Sequence, residues 1–110
     1  MAEIKAFNRE RDWEQYHSPK NLSMALAVEA AEVLEIFQWL TEEESRDLPP
    51  AKRQAVEEEI GDVTILLLAL AEEVGVDILE AARRKLDRNR TKYPVEKSRG
   101  RAQKYNELGQ

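Results

Sequence analysis

The chain has 110 residues, with 22 acidic against 17 basic side chains and a formal net charge of -5. That length makes one domain with a modest core, for which oligomerising is a natural gain, and the acidic balance argues against nonspecific binding to nucleic acid or to an anionic membrane surface. Without cysteine, disulfides and thiolate chemistry are excluded; the longest apolar run, Val63 to Ala71, is too short to cross a bilayer, and with no signal-peptide pattern at the N-terminus a soluble, cytoplasmic protein is expected.

Abundant Ala, Leu, Glu, Lys and Arg, with Gly and Pro gathered where helices should start or stop, predict an all-α chain. A first, weakly amphipathic helix is expected from Ala2 to Glu14. The stretch Gln15-Tyr16-His17-Ser18 reads as a connection, with Ser18 as N-cap and Pro19 at the first helical position of a second helix that runs to Leu40. Thr41 and Glu44 form a capping-box pattern for one short turn, and Pro49-Pro50 breaks the chain before a third helix that ends at Val74. Gly75 suits a left-handed C-cap and Asp77 an N-cap; a fourth helix then continues to Tyr93, where Pro94 stops it. Residues 1–94 are expected as a single domain. The remainder, 95–110, is a basic tail with Lys97, Arg99, Arg101 and Lys104, either flexible or ordered by an anionic ligand.

Acidic pairs three residues apart are common by chance in so acidic a chain, so the face each carboxylate occupies decides its meaning. At 100° per residue, Leu22, Leu26, Val33, Ile36, Phe37 and Leu40 form one apolar stripe on the second helix. Glu29 falls in the middle of that stripe and Glu32 on its border, whereas Glu35 points elsewhere. On the third helix Val56, Ile60, Val63, Leu67, Leu70 and Val74 are expected on the core side, with Glu59 at the edge and Asp62 one turn on, beside the apolar Ile65, Leu66 and Leu68. Carboxylates on facing helices repel, and burial raises the cost of their charge unless a cation holds them. Carboxylates without histidine select a hard ion, Mg²⁺ or else Mn²⁺, over zinc or a di-iron centre. The competing explanation is ion pairing across helices with Lys52, Arg53 or Arg83, in a helical module that dimerises without catalysis. No basic residue lies within the stripes.

Glu29-Ala30-Ala31-Glu32 followed by Glu59-Ile60-Gly61-Asp62 resembles the ExxE and ExxD signature of the MazG-type all-α nucleoside triphosphate pyrophosphohydrolases. The likeness extends to Arg11-Asp12-Trp13-Glu14-Gln15-Tyr16-His17, to Phe37-Gln38-Trp39, and to Lys85-Leu86-Asp87-Arg88-Asn89 before Tyr93-Pro94, where it is similar to the dCTP-hydrolysing members. The resemblance implies a four-helix-bundle-like fold assembled as a dimer or dimer of dimers. It also implies Mg²⁺-dependent cleavage of a deoxynucleoside triphosphate between the α- and β-phosphates, to a monophosphate and pyrophosphate, in a house-cleaning role. Glu29, Glu32, Glu59 and Asp62 are then the metal ligands and catalytic acids. Trp13, Glu14, Gln15, Tyr16, His17, Trp39, Leu66, Lys85, Asn89, Lys92 and Tyr93 are the expected nucleotide contacts, with Lys85, Asn89 and Lys92 recurring at about one helical turn. Leu66 stands where the dCTP-hydrolysing members carry a tyrosine, so dATP or a broader set of deoxynucleotides is the alternative to dCTP or a modified dCTP. Histidine-side-chain biosynthesis, on phosphoribosyl-ATP, is disfavoured by the Trp13 to His17 connection.

Overall fold

A computed structural model describes residues 1–99, except for the side chains of Lys97 and Ser98. The tail residues Arg101 and Lys104 lie outside the described residues. All regular elements among those described are helical: α1 Ala2–Glu10, a 3₁₀ turn Glu14–Tyr16, α2 Pro19–Phe37, α3 Glu42–Ser45, α4 Pro50–Glu73, α5 Ile78–Lys92 and α6 Val95–Ser98. They fall into two compact units, one spanning Met1–Val76 and the other starting at Asp77.

The first unit is organised by the pairing of α2 with α4. Ser18 starts α2, its Oγ accepting from the Asn21 N–H at 3.1 Å with Pro19 in the first turn. Thr41 and Glu44 make the reciprocal capping box, at 3.1 and 2.9 Å. Gly75, at φ 71°, ends α4; the Val76 N–H reaches back to the Ala71 carbonyl at 2.8 Å, the pattern that makes a residue without Cβ the natural choice.

Two boundaries differ from expectation. Helix α1 stops at Glu10 because Asp12 takes φ 55°, a left-handed conformation that Asp tolerates better than most residues. The reversal is held by the Trp13 N–H on the Asn8 carbonyl at 2.9 Å and by the Gln15 amide on the Asp12 carbonyl and carboxylate, at 2.9 and 3.0 Å. Helix α2 ends at Phe37, three residues before Leu40.

Burial follows the expected stripe on α2: Leu22 is fully buried and Leu26, Val33, Ile36, Phe37 and Leu40 are half-buried. On α4 the inward face is different. Ile60, Leu67 and Val74 are exposed, while Ala55, Val56, Glu59, Val63, Leu66, Ala69 and Leu70 are covered. A helix apolar on most sides does not reveal which side packs, and the consequence is that Glu59 sits on the covered row itself. Leu22 and Ala69 are the buried apolar residues among those described, and Leu22 is fully buried. Fully burying a leucine stabilises by about 1.5–3 kcal/mol, so most of the apolar stabilisation of this unit comes from its many half-buried side chains.

The second unit is carried by α5, started by Asp77, whose carboxylate accepts from the Glu80 N–H at 3.1 Å. Its surface acids are matched along the helix: Glu80 with Arg84 at 3.3 Å and Arg83 at 4.0 Å, and Asp87 with Arg90 at 2.7 Å.

Candidate active site

The pairing of α2 and α4 brings acids from separate helices to one place. Carboxylate oxygens of Glu29, Glu59 and Asp62 all lie within 4.8 Å of one another. Glu29 and Glu59 are half-buried and Asp62 is exposed. The Oε2 atoms of Glu29 and Glu59 are shielded from solvent and have no hydrogen-bond partner among the described residues. Contact with Glu59 pushes the Glu29 carboxyl up to about 7 from an ordinary 4.5, with contact from Glu32, burial and the neighbouring like charges adding to it. For Glu59, contact with Glu29 works downward, but burial and the nearby Glu32 and Asp62 outweigh it and the net direction is upward. Glu32 is half-buried beside both glutamates, outside the tight group of three.

Next to the acids lies a cavity of about 500 Å³. Glu29 and Asp62 line it together with Leu22, Ile65, Leu66 and Ala69 from α2 and α4. Helix α1 and the connection after it supply the opposite wall with Ile4, Phe7, Asn8, Trp13 and His17. Phe7 and Trp13 meet edge to face with ring centroids 5.6 Å apart, and the Arg11 guanidinium lies 3.7 Å over the Phe7 ring while donating to the Phe7 carbonyl at 3.0 Å. Such contacts each contribute about 0.5–1.5 kcal/mol, enough to fix the ring pair as a wall.

Residues 24–108 match the MazG-like family. The chain belongs to that family. Among relatives of this MazG-like chain, dCTP pyrophosphatase 1 of Mus musculus is 48% identical over 104 residues, covering 93% of this chain and 61% of the relative. The Homo sapiens protein of the same name is 45% identical over the same shares. This chain therefore spans about 61% of the length of the curated relatives it matches. A crystal structure of a pyrophosphatase from Archaeoglobus fulgidus superposes with a TM-score of 0.78 at 41% identity, covering 83% of this chain and 85% of that one.

A divalent ion fits this acid group. Two shielded carboxylate oxygens without hydrogen donors among the described residues, in a group with a third carboxylate from the same two helices, carry a desolvation cost that a hard cation would offset. Lys5, the cation paired with α4, is committed to Glu72.

The expected nucleotide contacts separate into groups. Trp13, His17 and Leu66 line the cavity. Glu14, Gln15 and Tyr16 make local contacts in the connection: Glu14 pairs with Arg9 at 3.5 Å, Gln15 holds Asp12, and the Tyr16 carbonyl accepts from the Asn21 amide at 3.0 Å. Trp39, at 86% exposed, lies outside the cavity lining and is no core residue. Lys85, Asn89, Lys92 and Tyr93 belong to the second unit, where Asn89, Lys92 and Tyr93 are half-buried and Lys85 is exposed. Ile4, Phe7 and Asn8 were not expected. Their spacing of one turn on α1 was legible, but nothing in the sequence says that this turn covers the α2–α4 seam.

Proposed function

We propose that this MazG-like chain hydrolyses a deoxynucleoside triphosphate to the monophosphate and pyrophosphate with Mg²⁺ as cofactor, Mn²⁺ substituting, and that dCTP or a modified dCTP is preferred. The observation that carries this is the group Glu29, Glu59 and Asp62, in which Oε2 of each glutamate is shielded and unpartnered among the described residues, and from which Glu29 and Asp62 line an aromatic-walled cavity. The names of the relatives support the same reading.

Glu29, Glu59 and Asp62, with Glu32 beside them, would hold the ion. A divalent ion in such a site neutralises phosphate charge and acidifies water. The chain's own residues do the rest. The base enters between the Phe7–Trp13 pair and the apolar Leu22, Ile65 and Leu66, which exclude water from one side of the site. His17 reaches the sugar or base with a ring nitrogen. Water oxygen bonds to the α-phosphorus, the bond from that phosphorus to the bridging oxygen breaks, pyrophosphate leaves, and a carboxylate of the group takes the water's proton. Lys85, Asn89, Lys92 and Tyr93 are proposed as further nucleotide contacts, on the resemblance of the Lys85 to Pro94 segment.

Leu66 favours a second reading, hydrolysis of dATP or a broad set of deoxynucleotides, because an aliphatic side chain in the cavity wall offers no hydrogen bond for selecting a base. Assembly as a dimer or dimer of dimers is proposed as well. Met24, Val28, Leu34 and Trp39 around α2, and Ile60, Leu67 and Val74 on α4, are all exposed in the single chain, and a second copy would cover them. Clearing deoxynucleotide pools in the cytoplasm is the proposed role.

The test is a hydrolysis panel of dCTP, 5-methyl-dCTP, dATP, dTTP, dUTP and ribonucleotides with Mg²⁺. Pyrophosphate as the product, abolished in Asp62→Asn, supports the proposal; orthophosphate as the product, or activity that survives Asp62→Asn, overturns it.

A further inference from the structure

Resting on the nucleotide-hydrolase reading, we infer that Asn8 determines base specificity by hydrogen-bonding the polar edge of the base in the cavity. Asn8 is a half-buried amide near the end of α1, one helical turn beyond Ile4, and it lines the cavity beside Phe7 and Trp13. Its backbone carbonyl is occupied by the Trp13 N–H at 2.9 Å, which fixes the residue against the connection, but its side-chain amide makes no hydrogen bond among the described residues. The amide atoms are not among the shielded polar atoms, so water reaches them and a base edge could take its place.

The position of this amide is what gives it a task. A second recess, of about 300 Å³, is lined by Lys5, Arg9, Glu14, Glu72 and Glu73, and it shares Asn8, His17 and Ala69 with the apolar cavity. Asn8 therefore stands where an apolar chamber gives way to a polar one. A base with its faces against aromatic and aliphatic walls, and its phosphates toward Glu29 and Asp62, still has a hydrogen-bonding edge to satisfy. The amide offers one donor and one acceptor side by side, matching adjacent donor and acceptor atoms on a base edge. The neighbouring His17 adds a single ring nitrogen, which orients but discriminates less.

The test is a cycle between protein and nucleotide. kcat/KM is measured for wild type and Asn8→Ala on dCTP, dATP, dTTP and dGTP, and on the 2-pyrimidinone and unsubstituted purine analogues that lack the exocyclic amine. Thermal unfolding of both proteins checks the fold. For the best natural substrate the expected fall in Asn8→Ala is about tenfold or more, with little change for its amine-lacking analogue, so that the spread across the panel narrows. Asn8→Asp, which keeps the volume but offers acceptors alone, should reorder the panel. An equal fall on every substrate, or a ranking that Asn8→Ala and Asn8→Asp leave intact, overturns the inference while the hydrolase reading stands. Wild type without hydrolysis of any deoxynucleotide removes both.

Discussion

The α2–α4 seam and helix α5 both carry acids at helical-turn spacing, yet those acids have opposite surroundings. On α5, Glu80 and Asp87 meet arginines three or four residues on, in exposed pairs of the kind that contribute about 0.2–1 kcal/mol. In the seam, Glu29, Glu59 and Asp62 meet each other, with Oε2 of each glutamate shielded and unpartnered among the described residues, and Glu29 and Glu59 are both pushed upward. Spacing alone therefore does not mark a site. Charge left uncompensated between two packed helices does, because the fold gains nothing from it in the absence of a ligand.

The strongest way to break this comparison is to exchange acids in both places. On the proposed metal-dependent hydrolysis, Glu59→Gln and Asp62→Asn should each lower kcat by about a thousandfold or more, since ligands of one ion would act as a unit. Glu80→Gln should change it less than about twofold, as expected of a surface charge. Similar losses in the two helices would mean that the seam is not special.

Next in size is the response to metal. If the seam holds a divalent ion, Mg²⁺ at about a hundredfold excess over its dissociation constant should stabilise the fold by about 2.7 kcal/mol. In differential scanning calorimetry this reads as a rise in Tm that EDTA reverses and that is absent in Glu29→Gln. The pH dependence of the chelated protein sharpens the point. Glu29 rises from 4.5 to about 7 in the folded state, so between those values the native chain binds a proton that the unfolded chain has released. Its contribution is complete below 4.5 and lost as pH passes 7; the metal-free Tm should fall across this window, and Glu29→Gln should remove much of the fall. Glu44, held down by its hydrogen bonds to Thr41, has the opposite sense and loses its contribution as pH drops below its usual range.

What could be read in advance was whatever local chemistry decides. Ser18, the Thr41–Glu44 box, Gly75 and Asp77 mark their helix ends because the capping atoms lie within a few residues of the groups they satisfy. Glu29 stood out because it interrupts an amphipathic stripe. The inward face of α4 was not legible, since Ile60, Leu67 and Val74 are as apolar as the covered Val63, Leu66 and Leu70. Neither was the α1 wall of the cavity. It depends on Asp12 turning the chain through a left-handed conformation, which lets Asn8 and Phe7 face the same space as Trp13 and His17.

The smallest effect tests the other side of the comparison. Glu80 touches Arg83 and Arg84, and its backbone N–H caps onto Asp77 whatever its side chain is. Removing the carboxylate in Glu80→Ala therefore takes away two exposed ion pairs and leaves the cap. The expected change in unfolding free energy by urea titration is under about 0.5 kcal/mol at ordinary ionic strength, and it should shrink further in 1 M salt, where screening acts within about 3 Å. A loss several times larger, or one insensitive to salt, would place Glu80 in a structural network that exposed pairs do not form. The acids of α5 would then need a partner beyond their own helix, and their contrast with the seam would have to be sought in the metal response alone.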